Sequence, residues 1–192
     1  MKVFKFGGAS VKDAAGVKNL SSIVHQQHGQ LIVVVSAMGK TTNLLETLCN
    51  AYFHQDPKTT AIMKELKNFH LDIVNTLFPL NDTIHKHLEE LFTSLENILA
   101  SESSLCYDYE YDRIICFGEL ISTTLISDYL KMKGIENQFI DIRKFLKTDQ
   151  NYRNANIDLE LSEQLCKDAF DFNTSSVFVT QGFIAGTRTN QT

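Results

Sequence analysis

The sequence of 192 residues has no surplus of basic residues, and this lack limits the partners that it can bind. It contains 18 lysines and arginines against 23 aspartates and glutamates, which gives a formal net charge of −5. A protein that binds along nucleic acid needs positive charge to neutralise the phosphates. The composition therefore argues against a general nucleic-acid binder, although one or two lysines are enough for a local anion site.

Cysteines are few, and none are spaced for zinc or redox chemistry. The chain has them at Cys49, Cys106, Cys116 and Cys166. Because no C-x-x-C pair is present, we expect reduced and mostly buried thiols. The histidines suggest no metal site either. His85 and His87 are close in sequence, but a helix would point them in different directions, so we expect no bound metal.

Long hydrophobic runs are also missing. The longest strongly apolar run covers residues 31–35, whereas a membrane-spanning helix needs about 20 apolar residues. The N-terminus does not match a signal peptide, because Lys5 and Gly7 interrupt its apolar residues almost at once. The sequence therefore predicts a cytoplasmic protein that makes no contact with a membrane.

What the sequence does contain is an alternation of strand-like and helix-like segments. Short apolar runs predict strands at residues 3–6, 31–35, 138–142 and 176–180. Apolar spacings of three and four predict helices at residues 11–27, 44–52, 107–133 and 158–171. Ser10 is expected to cap the first helix, and Thr42 or Asn43 the second. The first strand is expected to be buried, and this alternation is typical of an α/β fold with a parallel sheet.

Residues 57–101 stand outside that alternation. They carry two apolar stripes at helical spacing, and Pro79 is expected to separate them. The first stripe comprises Leu66, Phe69, Ile73 and Leu77, and the second comprises Leu88, Leu91, Phe92, Leu95, Ile98 and Leu99. The sequence therefore predicts two antiparallel helices, inserted where a minimal α/β lobe would continue directly to its next strand.

The segment KVFKFGGAS, residues 2–10, concentrates groups that bind anions. Lys5 supplies a cation, and Gly7 and Gly8 allow backbone N–H groups to converge behind the strand. The N-terminal end of the following helix adds positive partial charge. A Gly-Gly turn between a strand and a helix is often only a turn, so both interpretations remain open for this segment alone.

Two further stretches are candidates for the same site. Residues 36–43 form a polar loop after the second strand, and parallel strands end at a common edge of the sheet. Glu119 lies in an otherwise apolar helix, directly after Gly118. The loop could be no more than a helix start, and Glu119 could lie on a solvated face. A carboxylate among apolar residues is, however, also typical of a binding site.

Five blocks taken together resemble the aspartate kinases. They are KFGGAS, SAMGKTTN, FGELIST, FIDIR and VTQGFIAG, in the order found in that family. The resemblance covers all 192 residues and implies the amino-acid kinase, or carbamate kinase-like, fold: a three-layer αβα sandwich with a mainly parallel sheet. The sequence departs from the family pattern at Ala9, where threonine is usual.

The resemblance implies transfer of the γ-phosphate of ATP to the β-carboxylate of L-aspartate, a step in lysine, threonine and methionine biosynthesis. Lys5 would be the catalytic residue that neutralises the transferring phosphoryl group. The ATP phosphates, bridged by Mg²⁺, would be bound by Lys5, Gly7, Gly8 and Ser10. Aspartate would be held by Ser36 and Thr42 through hydrogen bonds and by Glu119 through its α-ammonium group.

The resemblance also concerns the organisation of the whole enzyme. It implies that residues 1–192 are the N-terminal substrate lobe, without the nucleotide lobe and the ACT regulatory domains of a complete enzyme, which would be a homo-oligomer. We therefore expect this chain alone to bind ATP poorly and to have negligible kinase activity. Two alternatives stay open: an inert lobe or binding subunit, and a kinase of the same fold that acts on another amino acid.

Overall fold

The main sheet has four parallel strands, in the order β1-β2-β5-β3. In the computed structural model, which describes residues 1–78 and 82–192, the strands are β1 (Lys2–Phe6), β2 (Leu31–Val35), β3 (Gln138–Ile140), β4 (Lys147–Thr148), β5 (Val177–Gln181) and β6 (Gly186–Thr187). All neighbouring pairs in the main sheet are parallel. The predicted α/β class with a mainly parallel sheet is confirmed.

Helices make up most of the remaining described residues. They are α1 (Ala14–His25), α2 (Thr41–Phe53), α3 (Thr59–Leu77), α4 (Asp82–Leu99), α5 (Tyr107–Ile115), α6 (Phe117–Met132) and α7 (Leu159–Ala169). None of the helices formed by these residues is long and apolar enough to cross a membrane.

The core lies on one face of the sheet. Leu31, Val33 and Val35 of β2 are buried in one hydrophobic cluster with residues of α1, α2 and α6. On the opposite face, Phe178 of β5 is covered by the rings of Phe170 and Phe172, with ring centroids 5.4 and 5.1 Å away. Alternate side chains of a strand face opposite sides, so the β-branched run of β2 contributes to both layers.

The prediction that the first strand is buried was wrong. Strand β1 is at the edge of the main sheet and has only β2 as a neighbour. Phe4 and Phe6 pack against the hydrophobic cluster, whereas Val3 is 56% exposed on the other face together with exposed Lys5. The alternation of the strand therefore places Lys5 in solvent rather than among apolar side chains.

The predicted helix starts were also wrong in detail. Helix α1 begins at Ala14, and its cap is Asp13, whose side chain accepts a hydrogen bond from the N–H of Gly16. Ser10 lies before the helix in a 3₁₀ turn that covers Gly8–Val11. Helix α2 already begins at Thr41, so Thr42 and Asn43 lie within its first turn instead of capping it. Short polar residues are abundant near both starts, and the sequence alone does not rank them.

The long helix predicted over residues 107–133 is divided into α5 and α6 at Cys116. Cys116 keeps helical backbone angles, with φ −57° and ψ −22°, but its N–H lies 3.4 Å from the carbonyl oxygen of Asp112. The helical ladder is therefore loose at that point. The predicted end at Gly134 is confirmed. This glycine has φ +76°, and its N–H donates to the carbonyl oxygen of Lys131.

The two helices predicted within residues 57–101 are present as α3 and α4. Lys67 of α3 pairs with Glu89 and Glu96 of α4, and its ammonium group also lies over the ring of Phe92. The predicted break at Pro79 lies outside the described residues. A second, two-stranded parallel sheet formed by β4 and β6 was not predicted. Strands of two residues are too short to show a period in the sequence.

Candidate functional site

Two loops at the ends of β1 and β2 are bonded to each other. The first loop comprises residues 7–10 and the second loop residues 36–43. The N–H of Gly39 in the second loop donates to the carbonyl oxygen of Gly8 in the first, at 3.0 Å. The N–H of Ser36 donates to the carbonyl oxygen of Phe6 at 3.1 Å and continues the sheet ladder into the second loop. Parallel pairing of β1 and β2 thus brings the two loops to one edge.

Gly8 makes this close approach possible. A Cβ atom added to Gly8 would lie 2.7 Å from the carbonyl oxygen of Ala37 and 3.1 Å from that of Gly39. Both neighbours are backbone atoms, so they cannot move aside as a flexible side chain could. Gly7 differs, because a Cβ atom there would meet no atom within 4 Å. Gly8 therefore joins the two loops, and the space beside Gly7 is open.

Glu119 reaches the second loop from the first turn of α6. Its side chain is 5% exposed, and its Oε1 atom accepts a hydrogen bond from the N–H of Ala37 at 3.1 Å. Burial raises the pKa of this carboxyl group, and the bond from Ala37 opposes that rise only in part. No ion pair within residues 1–78 and 82–192 includes Glu119. The geometry thus presents a buried carboxylate that lacks a cationic partner in this part of the chain.

Gly118 allows α6 to come close enough for that bond. A Cβ atom at Gly118 would lie 2.8 Å from the Cβ of Ala37 and 3.2 Å from Leu45. The glycine that precedes Glu119 therefore permits close contact between helix and loop. Its place in the helix is explained by packing.

Ser36 is the first residue of the second loop and is 8% exposed. Its Oγ atom is buried and has no hydrogen-bond partner among the described residues. A Cβ atom on Gly182, in the turn after β5, would lie 3.9 Å from this hydroxyl. Buried hydroxyl groups nearly always have a partner, so an unpaired one marks a position where a ligand could bind.

The N-terminal end of α2 has no side-chain cap. Its N-cap residue, Lys40, makes no side-chain hydrogen bond to the helix. Thr41 is buried, whereas Thr42 is half-exposed. The first N–H groups of a helix have no partner inside the helix and carry positive partial charge. A carboxylate at this end would therefore be stabilised at the end of the loop that begins with the unpaired Ser36.

Lys5 is exposed, and its ammonium group lies 4.6 Å from the centre of the Phe183 ring. Phe183 follows Gly182 and has a left-handed backbone conformation, with φ +62° and 84% exposure of its side chain. That conformation is unfavourable for a residue with a Cβ atom. The turn after β5 therefore reaches Lys5 past the end of β2, which lies between β1 and β5.

The structure links three of the seven predicted site residues through contacts. Backbone and side-chain contacts link Gly8, Ser36 and Glu119 through Ala37 and Gly39. The other predicted residues lie on the same two loops or on β1, where Gly7 and Thr42 are half-exposed and Lys5 and Ser10 are exposed.

Two residues near the site were not predicted. Gln181, at the end of β5, donates to the Thr123 hydroxyl at 2.9 Å and accepts from the N–H of Ile142 at 2.9 Å. Thr123 in turn donates to the carbonyl oxygen of Glu119 at 2.6 Å. The other residue is Phe183. The block VTQGFIAG contains both of them, but only the fold places that block next to Glu119 and Lys5.

Comparison with known proteins assigns the chain to a family. The sequence model of the Amino acid kinase family matches residues 1–192, the whole chain. The chain belongs to the amino acid kinase family. The family assignment agrees with the fold class and with the resemblance of the five sequence blocks.

The relatives of this amino acid kinase chain are longer than the chain. The bifunctional aspartokinase/homoserine dehydrogenase of Buchnera aphidicola is 28% identical over 199 residues, which cover 98% of this chain and 24% of that protein. The lysine-sensitive aspartokinase 3 of Escherichia coli is 27% identical over 193 residues, which cover 99% of this chain and 42% of that protein. The chain thus spans less than half of either relative.

A solved structure shows the same fold. The crystal structure of E. coli aspartokinase III in complex with aspartate and ADP matches this amino acid kinase chain with a TM-score of 0.87 at 24% identity. The match covers 98% of this chain and 42% of the other. The predicted three-layer amino-acid kinase fold is confirmed.

Proposed function

We propose that this chain forms the aspartate-binding half of an aspartate kinase, which transfers the γ-phosphate of ATP to the β-carboxylate of L-aspartate. The observation that carries the proposal is Glu119, a buried carboxylate without a cationic partner in the described parts of the chain. A buried charge is costly unless it is paired. The α-ammonium group of an amino acid would supply the missing cation.

The polar groups of the second loop, which bonds to Glu119 through the N–H of Ala37, suit the rest of an aspartate molecule. In the proposed complex, the Ser36 hydroxyl, the Thr42 hydroxyl and the N-terminal end of α2, which has no side-chain cap, bind carboxylate oxygens. An ammonium site beside a carboxylate site fits the α-ammonium and α-carboxylate groups of an amino acid. The aspartate and ADP bound in the E. coli relative support this choice of ligand.

The first loop is proposed to bind the phosphate that is transferred. Lys5 and the backbone of Gly7, Gly8 and Ser10 would surround phosphate oxygens, and Lys5 would neutralise charge as the phosphoryl group moves. Positioning and charge neutralisation account for most of the catalysis in phosphoryl transfer. We assign Mg²⁺ to the ATP phosphates, because Mg²⁺ in such enzymes is bound mainly by substrate phosphates and keeps few protein ligands.

The direct test is titration of the 192-residue chain with L-aspartate, followed by calorimetry and by backbone amide NMR. We expect saturable binding, with the largest shift changes at Ala37, Thr42 and Glu119, and weaker binding of L-glutamate, which is one methylene longer. Because the chain spans less than half of its relatives, binding rather than turnover is the readout. Absence of binding, or shift changes confined to other elements, would contradict the proposal.

The alternative of an inert binding subunit predicts a different result when the missing half is supplied. We expect ATP- and aspartate-dependent turnover from this lobe when it is fused to the C-terminal part of the E. coli relative. An acyl phosphate product is trapped by hydroxylamine as a hydroxamate and measured by its iron complex. A fusion that binds both ligands but forms no hydroxamate would favour the inert alternative. We place this activity in the cytoplasm and, as the resemblance of the five blocks implies, in lysine, threonine and methionine biosynthesis.

A further inference from the structure

Helix α3 contacts the second loop, although the sequence indicated no chemistry in that helix. The Cζ atom of Phe69 lies 3.6 Å from the position of a Cβ atom on Gly39. The next residue, His70, places Nε2 3.4 Å from the Oγ1 atom of Thr41. Two consecutive residues of α3 thus meet the loop at its turn and at the start of α2. The contact joins the predicted helical insertion to the candidate site.

His70 can adopt only one neutral tautomer in these surroundings. Its side chain is fully buried, and Nδ1 lies 2.9 Å from the carbonyl oxygen of Leu66. A carbonyl oxygen only accepts hydrogen bonds, so Nδ1 carries the proton. Nε2 then has a free lone pair and accepts a hydrogen bond from the Thr41 hydroxyl. Burial lowers the pKa of His70 to about 4, which keeps the ring neutral at pH 7.

Thr41 is a suitable point from which to control the second loop. The N–H of Thr41 donates to the carbonyl oxygen of Met38 at 2.9 Å and closes the turn. Thr41 is also the first residue of α2. The preceding residue, Lys40, gives the helix no side-chain cap. The start of α2 is therefore anchored by the buried Thr41 side chain, which bonds to His70 of α3. Thr42 follows directly and is half-exposed.

We propose that His70 is a positioning residue of the aspartate site: its Nε2 atom holds the Thr41 hydroxyl and so fixes the start of α2, with Thr42 and the first N–H groups of the helix. The role of Thr42 rests on the function proposed above, whereas the bond between His70 and Thr41 does not. His70 itself contacts no substrate. Its ring packs against those of Phe69 and Phe92, with centroids 4.9 and 6.2 Å away.

The bond itself is tested by NMR of the imidazole nitrogens in the ¹⁵N-labelled chain. We expect a protonated Nδ1, an unprotonated Nε2 and no titration of this ring between pH 6 and pH 8. Substitution Thr41→Val removes the hydroxyl, retains the shape of the side chain and is expected to shift the Nε2 resonance. A protonated Nε2, or an Nε2 resonance that Thr41→Val leaves unchanged, would overturn the proposal. This result does not depend on whether the chain binds aspartate.

The consequence for the site is tested by L-aspartate affinity in a mutant cycle. We expect His70→Phe to raise the Kd by about fivefold to tenfold, the effect of one lost hydrogen bond. His70→Gln keeps one donor and one acceptor and is expected to stay within about twofold of the wild type. Thr41→Val should weaken binding as much as His70→Phe, and the double variant should be no worse than either single variant.

The matched control is His54→Phe, because His54 also bonds a backbone carbonyl, that of Asn50, but lies at the far end of α2. It should leave the Kd unchanged. Additive effects in the double variant, or failure of His70→Gln to restore affinity, would overturn the proposal even if His70→Phe is poorly folded. If the wild type does not bind aspartate at all, the proposed function fails, and the imidazole NMR still decides the bond between His70 and Thr41.

Discussion

Replacement of Glu119 by glutamine should stabilise the fold while it removes the ammonium site. The glutamine amide would keep the volume of the side chain and an oxygen that accepts from the N–H of Ala37. The charge that the substitution removes is one that burial disfavours, since burial raises the pKa of Glu119. Exchange of a charge-assisted bond for a neutral one costs about 1 kcal/mol. The effective desolvation penalty of a buried ion, several kcal/mol, outweighs that cost.

We expect the free energy of unfolding of Glu119→Gln to exceed that of the wild type by about 1 kcal/mol at pH 7. This is within the range found when a functional constraint is relieved. For a chain of this size that gain corresponds to a rise in Tm of roughly 2–4 °C. The direction of the pH dependence follows from the linkage between protonation of Glu119 and folding. Because the pKa is higher in the folded state than in the unfolded state, the native protein is favoured when Glu119 is protonated and loses that stability as pH rises. The difference between Glu119→Gln and the wild type should therefore shrink as the pH approaches 4.

The assay is thermal unfolding followed by circular dichroism between pH 4 and pH 8, with and without saturating L-aspartate. Glu65→Gln, on the exposed side of α3, is the matched control and should behave as the wild type. Ligand at about 100 times its Kd should stabilise the wild type by about 2.7 kcal/mol and Glu119→Gln hardly at all. A lower Tm of Glu119→Gln at pH 7 would refute the reasoning, because Glu119 would then have a stabilising partner in the free protein.

Three further substitutions test the loops and the helix start. Gly8→Ala should destabilise the chain by more than about 1 kcal/mol in urea unfolding, because its Cβ atom would press on the backbone of the second loop, whereas Gly7→Ala should be nearly neutral. Equal effects would contradict that contact. Asp13→Ala should cost about 1 kcal/mol through loss of the α1 cap, and a neutral result would assign the cap elsewhere. Phe183→Gly should raise stability by about 1 kcal/mol, because it relieves the left-handed backbone and removes only an exposed ring. A clear loss of stability would show instead that the ring stabilises the fold.

Much of the fold follows from periodicity in the sequence. The β-branched run of β2 and the stripes of α3 and α4 are long enough to decide the element type. The exposure of Val3 could not be predicted, because an edge strand and a central strand have similar composition. The cap at Asp13 was missed for a related reason. Several short polar residues precede α1, and only the chain path through the 3₁₀ turn selects one of them.

The residues of the candidate site were also only partly predictable from the sequence. The sequence indicated Glu119 as a candidate because a carboxylate in an apolar helix is unusual, and the structure buries it against the second loop. His70 gave no such signal. A lone histidine on an apolar stripe is typical of a core position, and its contact with Thr41 depends on how two helices distant in sequence pack together. Phe183 was missed because its closeness to Lys5 depends on the strand order.

The most direct test of the central claim compares L-aspartate with succinate, which has both carboxylates but no ammonium group, on the wild type and on Glu119→Gln. If Glu119 binds the ammonium group, the wild-type chain should bind L-aspartate at least about tenfold more tightly than succinate, a difference of about 1.4 kcal/mol. Glu119→Gln should lose most of that preference, chiefly through weaker aspartate binding. An equal preference in both proteins, or none in the wild type, would contradict the assignment of Glu119.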